Sequence, residues 1–144
     1  MEHAAAIAKT LGGHKVLGRR SATTDAMASR LRSGLPYAAL EAVMARFAIG
    51  REEAAAILHL PLRTFARRKR AQQLHPGESD RLFRLARVVA QAADVLGSDD
   101  RAARWLHRPN RALGNEIPLS LLDTDLGARR VEAVLGRIAH GVFS

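Results

Sequence analysis

The apolar residues of this chain fall into a succession of short helical stripes. Leu40, Val43, Met44 and Phe47 recur at three and four, the period of one helix face, and Gly50 punctuates that run. Ala54, Ala55 and Leu58 predict the inner face of a short helix over 51–58. Leu62, Phe65 and Ala66 draw a stripe on the next helix, which Pro61 opens where a first turn tolerates it. Upstream, Asp25 is placed to cap a short helix through Arg32, with Met27 and Leu31 apolar and Ser33-Gly34 as its stop. Beyond His75-Pro76-Gly77, the positions Leu82, Leu85, Ala86, Val89, Ala93 and Leu96 predict a long amphipathic helix over 78–96, ended by Gly97. Ser98 then caps a helix containing Ala102, Ala103, Trp105 and Leu106. A turn-rich stretch over 108–123 carries Pro109, Gly114 and Pro118, and Thr124 caps a last helix with Val131, Val134, Leu135 and Ile138. Residues 1–24 show little apolar period and read as a mobile arm. The pattern predicts an all-α fold in three parts: the arm over 1–24, a unit over 25–76 and a second over 77–144.

Composition narrows the chemistry. Only 4% of residues are aromatic and β-branched residues are few, which favours helices over sheet. The absence of cysteine excludes disulfides, zinc–thiolate sites and cysteine nucleophiles. His3, His14, His59, His75, His107 and His140 are scattered, and none pairs at i, i+4, so no metal site is expected. Neither a glycine-rich phosphate loop nor a serine elbow appears; the expectation is a protein without cofactor and without enzymatic activity. No apolar run approaches the roughly 20 residues of a membrane span, and MEHAAAIAKT lacks a signal-peptide core. A cytoplasmic location away from membranes is expected.

Charge then separates the two units. Residues 1–75 carry 13 Lys+Arg against 5 Asp+Glu, and residues 76–144 carry 10 against 9. Arginine supplies 20 of the 23 cations, and its planar fork suits phosphate and guanine. The two short helices over 51–70 have the dimensions of a helix-turn-helix, with Leu58 and Leu60 flanking the turn. If Leu62, Phe65 and Ala66 face inward, Arg63, Thr64, Arg67 and Arg70 project outward. The second helix of such a unit enters the major groove of DNA. Arg63, Thr64 and Arg67 are assigned to base edges, and Arg68, Lys69 and Arg70 to phosphates. Two residues depart from the usual pattern: His59 holds a turn position commonly glycine, and Arg68 a position commonly apolar. A helical hairpin with a merely charged outer face is the plainer alternative.

The second unit carries an ordered run: Trp105-Leu106, Pro109-Asn110, Ala112-Leu113-Gly114, Leu121-Leu122-Asp123-Thr124 and His140-Gly141-Val142. Together with Arg63-Thr64-Phe65-Ala66-Arg67-Arg68-Lys69 and Glu78-Ser79-Asp80-Arg81, this resembles the Xre/MbcA/ParS antitoxin family from about residue 35 onward. The resemblance implies the antitoxin half of a type II toxin–antitoxin pair. An Xre-like helix-turn-helix would repress its own operon, and the C-terminal domain would occlude the active site of a RES-domain toxin acting on NAD. The partners so implied are that toxin and operator DNA, with a homodimer expected because operators of this kind mirror protein symmetry. The long helix over 78–96 is a candidate dimer seam, or else the hub of the fold. Trp105, the only tryptophan, is assigned to the core and Thr124 to a cap. Candidate toxin-contacting residues are Asn110, Arg129, Arg130, Arg137, His140, Val142 and Phe143. A stand-alone dimeric transcriptional regulator is the competing reading.

Overall fold

In a computed structural model of the chain, residues 2–18 and 23–141 are described, and among them every regular element is helical. Nine α-helices run in order: α1 Glu2–Thr10, α2 His14–Leu17, α3 Thr24–Ser33, α4 Tyr37–Phe47, α5 Arg51–Leu58, α6 Leu62–Ala71, α7 Pro76–Leu96, α8 Asp99–Leu106 and α9 Asp125–Ala139. Two short 3-10 turns, Arg111–Leu113 and Pro118–Leu121, link α8 to α9. The end signals act as their chemistry dictates. The Ser98 hydroxyl accepts from the Arg101 N–H at 3.1 Å, and the Thr124 hydroxyl accepts from the Gly127 N–H at 3.0 Å. Asp25 is not the cap of α3. Thr23 is, accepting from the Ala26 N–H at 3.1 Å, and Asp25 sits in the first turn where its charge complements the helix dipole.

Helix α7 is the hub. Its Leu82, Leu85, Ala86, Val88, Val89 and Ala92 are buried, and α1, α3, α4, α5, α8 and α9 all pack on it. Each such leucine contributes roughly 1.5–3 kcal/mol by leaving water. This apolar stripe is consumed within one chain, which removes it as a ready-made dimer seam. Pro76 occupies the first turn of α7, so His75-Pro76-Gly77 begins a helix and does not form a linker. One core runs without interruption from Ile7 to Leu135, across the boundary expected near residue 76.

The N-terminal segment departs furthest from expectation. Residues 2–17 are not an arm: Ala4, Ile7, Ala8 and Leu11 are buried, and α1 lies against α7. Those four positions stand at i, i+3, i+4 and i+7, one helix face that alternates alanine with a larger aliphatic side chain. The segment between α3 and α4 is stitched to the segment between α6 and α7. The Leu74 N–H donates to the Leu35 carbonyl at 2.9 Å, and the Leu35 N–H donates to the buried Ser79 hydroxyl at 2.7 Å. This stitch fixes where the chain leaving α6 meets the hub.

Candidate nucleic-acid and partner-binding surfaces

Helices α5 and α6 are joined by a three-residue turn at His59, Leu60 and Pro61, with Leu58 and Leu60 buried beneath it. His59 adopts the left-handed conformation, φ 53° and ψ 44°. Its Nε2 donates to the Asp123 carbonyl at 2.6 Å, a bond that spans the turn and the segment leading into α9. Histidine is one of the few non-glycine residues enriched at positive φ. A glycine would relax the backbone here but would leave the Asp123 carbonyl without this partner.

The structure rotates the face of α6 relative to the sequence reading. Thr64 is only 9% exposed and sits beside buried Phe65, whereas Leu62 is 46% exposed and Ala66 also faces outward. Thr64 therefore does not present its hydroxyl to a groove. Arg68 is likewise not free for phosphate. Its Nε and Nη2 grip Glu78 at 2.7 and 2.8 Å, with both side chains largely buried, and Nη2 also meets His75 Nδ1 at 3.1 Å. Burial pushes the Glu78 carboxyl up, but the Arg68 guanidinium and the His75 N–H outweigh it and hold the group below the usual carboxylate range. The same hydrogen bond raises the Arg68 pKa further. The apolar contact usual at this position is replaced by a buried, bidentate ion pair between α6 and α7.

Arg63, Arg67, Lys69 and Arg70 are exposed and make no ion pair among the described residues. With Leu62 and Ala66 they form one outward surface, and α6 contains five cations and no acid. Arg51 stacks its guanidinium over the Phe65 ring, 5.6 Å from its centroid, and so ties the start of α5 to the inner face of α6.

The second surface lies on α9. Gly127 and Ala128 press its first turn on the second 3-10 turn, and Val131, Val134 and Leu135 continue the buried stripe. Arg87 from α7 grips Glu132 at 2.9 and 3.1 Å, which fixes α9 about its axis. Arg129, Arg130, Arg137 and His140 are all exposed; Arg129 pairs with Asp125 four residues earlier at 2.9 Å. Asn110 instead serves the loop, its carbonyl oxygen accepting from the Ala112 N–H at 2.9 Å. Val142 and Phe143 lie outside the described residues. The sequence reading missed Leu126, which is 73% exposed on the first turn of α9 beside the arginines. Its position in the Asp125–Ala128 cap carried the signal: the buried stripe begins at Gly127, which leaves Leu126 on the outer side. Trp105 packs partly buried against the core, in keeping with its assignment there.

The molecule is thus a helix-turn-helix unit sharing one core with a helical lobe whose last helix presents an arginine-rich face. Comparison with known proteins agrees. The model of the antitoxin Xre-like helix-turn-helix domain matches residues 26–87, and that of the antitoxin Xre/MbcA/ParS C-terminal toxin-binding domain matches residues 91–141. An antitoxin Xre of Photorhabdus laumondii is 33% identical over 132 residues, covering 90% of this chain and 89% of its own. An antitoxin Xre of Yersinia enterocolitica is 29% identical over 144 residues, covering 99% and 97% respectively. A Sphingobium protein named Prs ADP-ribosylating antitoxin is 32% identical over 97 residues, covering 59% of this chain and 61% of its own. The chain belongs to the Xre/MbcA/ParS antitoxin family.

Proposed function

We propose that this antitoxin neutralises a RES-domain toxin acting on NAD, by seating the outer face of α9 and the C-terminal tail over the toxin's active cleft. It would also repress its own operon through α6, as a homodimer in the cytoplasm, with no chemistry of its own. The observation that carries this reading is the pair of unlike outward faces on one rigid core. One is a cationic recognition helix without acids; the other is a helix end where Leu126 stands exposed among arginines. The name of the Sphingobium relative joins ADP-ribosylation to an antitoxin, which supports a partner chemistry that draws on NAD.

On α6, Arg63 and Arg67 are the candidates for base edges, and Lys69 and Arg70 for phosphates. Leu62 and Ala66 offer apolar contact of the kind that recognises a thymine methyl group. On α9, Leu126 is the candidate anchor, with Arg129, Arg130, Arg137 and His140 around it. The test is co-expression with a neighbouring RES-type gene, scored for growth. The full chain should rescue, and deletion of residues 140–144 should release toxicity while the protein remains folded. Co-purification with no neighbouring gene product, and growth indifferent to loss of residues 91–144, would instead favour a stand-alone regulator.

A further inference from the structure

Helix α8 and the loop after it carry a basic stripe with no role in the reading above. Residues 101–111 contain Arg101, Arg104, Arg108 and Arg111 and no acid. All four are exposed, and none of their side chains has a hydrogen bond or ion pair among the described residues. Arg101, Arg104 and Arg108 line a cleft of about 500 Å³ together with Trp105 and Asn110. Both ends of α8 are clamped to the helices that precede the recognition helix. At its start, Asp99 receives Arg46 of α4 at 2.9 and 3.1 Å. At its end, His107 lies between the Ala103 carbonyl, to which Nδ1 donates at 2.7 Å, and Glu53 in the first turn of α5, 3.4 Å from Nε2.

That second clamp decides the partner. In a helix-turn-helix the first helix crosses the DNA backbone while the second enters the groove. Here the first helix is α5, and His107, next to Arg108, lies against its N-terminal turn. We infer that Arg104 and Arg108, with Arg101 behind them, bind phosphates of the DNA backbone beside the groove occupied by α6, so that the C-terminal lobe takes part in DNA binding. Arg101 and Arg104 stand about one turn apart on α8 and Arg108 follows just past its end, a span of roughly 10 Å that reaches neighbouring phosphates on one strand. The cleft floor holds half-buried Leu96 and Trp105, but the exposed rim is guanidinium forks, which suit phosphate; the protein partner finds its anchor at Leu126. Glu53 is itself engaged within the fold: its carboxylate accepts from the Gly50 N–H at 2.8 Å and faces the His107 ring.

This inference rests on the reading of α6 as the groove-binding helix, and the experiment separates the two. Binding of the full-length chain is measured from 50 to 200 mM NaCl on two duplexes of equal length, one from immediately upstream of its own gene and one of random sequence. R104Q/R108Q should reduce the slope of log affinity against log salt by about two on both duplexes and leave their affinity ratio unchanged. R104K/R108K, which keeps the charge, should restore most of the slope. R63A should instead lower the ratio. An unchanged slope for R104Q/R108Q overturns the inference, and if toxin binding is lost in the same variant the stripe belongs to the protein partner. Failure of the wild-type chain to bind either duplex overturns both readings.

Discussion

Helices α6 and α9 both carry a leucine and arginines outward, yet their outer faces differ in charge and exposure, and the contrast shows which partner each one suits. Both expose a leucine near the first turn, Leu62 and Leu126, followed by arginines. Helix α6 has no acid, so its outer cations stand uncompensated, as an electrostatic grip on phosphate requires. Helix α9 carries Asp125 and Glu132, which take up Arg129 and Arg87, and its leucine is far more exposed. A face with reduced net charge around an aliphatic anchor suits a protein surface. The inner faces differ too. Helix α6 is held by one aromatic ring and a buried ion pair, whereas α9 adds to its more exposed Arg87–Glu132 pair a close approach at a glycine and a continuous apolar stripe.

The sharpest way to break this contrast is at Gly127. A Cβ there would lie 1.9 Å from the Leu121 carbonyl oxygen, which is backbone and cannot swing aside. G127A should therefore cost about 4 kcal/mol or more and detach α9, seen as a lowered denaturant midpoint. G136A in the same helix meets no atom within 4 Å and should stabilise by roughly 0.5–1 kcal/mol through helix propensity. Equal effects of the two would refute the claim that α9 docks by close approach.

The corresponding cut on α6 is E78Q, which leaves Arg68 largely buried without its counter-charge and should cost about 3 kcal/mol. Because the folded pKa of Glu78 is lowered, its contribution is fully present above the unfolded value of about 4.3 and is lost as pH falls through the folded one. Urea midpoints between pH 3 and 6 should fall steeply for the wild type and less steeply for E78Q. The two outer faces are separated next. L126D should weaken toxin binding by about 2 kcal/mol or more while folding and DNA binding persist. R63A should cost roughly 1–3 kcal/mol on the preferred DNA sequence and relax selectivity at one base pair, with toxin binding intact.

Much of the helical framework is legible in the sequence, because stripes, caps and breakers are local. Ser98, Thr124, Gly34 and Gly97 end or begin helices where their backbone and side-chain chemistry requires. The N-terminal stripe Ala4, Ile7, Ala8 and Leu11 gives only a weak apolar signal, because two of its four members are alanine. The face of α6 was misjudged because hydrophobicity alone places Leu62 and Ala66 inside. Arg68 turns inward instead, and the cause, Glu78, lies ten residues away on another helix. A local pattern gives no sign of which arginine in Arg67-Arg68-Lys69-Arg70 meets a buried carboxylate.

The order of residues by itself determined an all-helical chain with a cationic helix-turn-helix and a nearly neutral second unit, since periodicity, capping and charge are properties of neighbours along the chain. Only the tertiary structure decided that both share one core around α7, that Thr64 and Arg68 turn inward and Leu126 outward, and that α8 is clamped beside α5. Those outcomes depend on which distant groups compete for the same buried space and the same hydrogen bonds, a competition that begins once the helices pack.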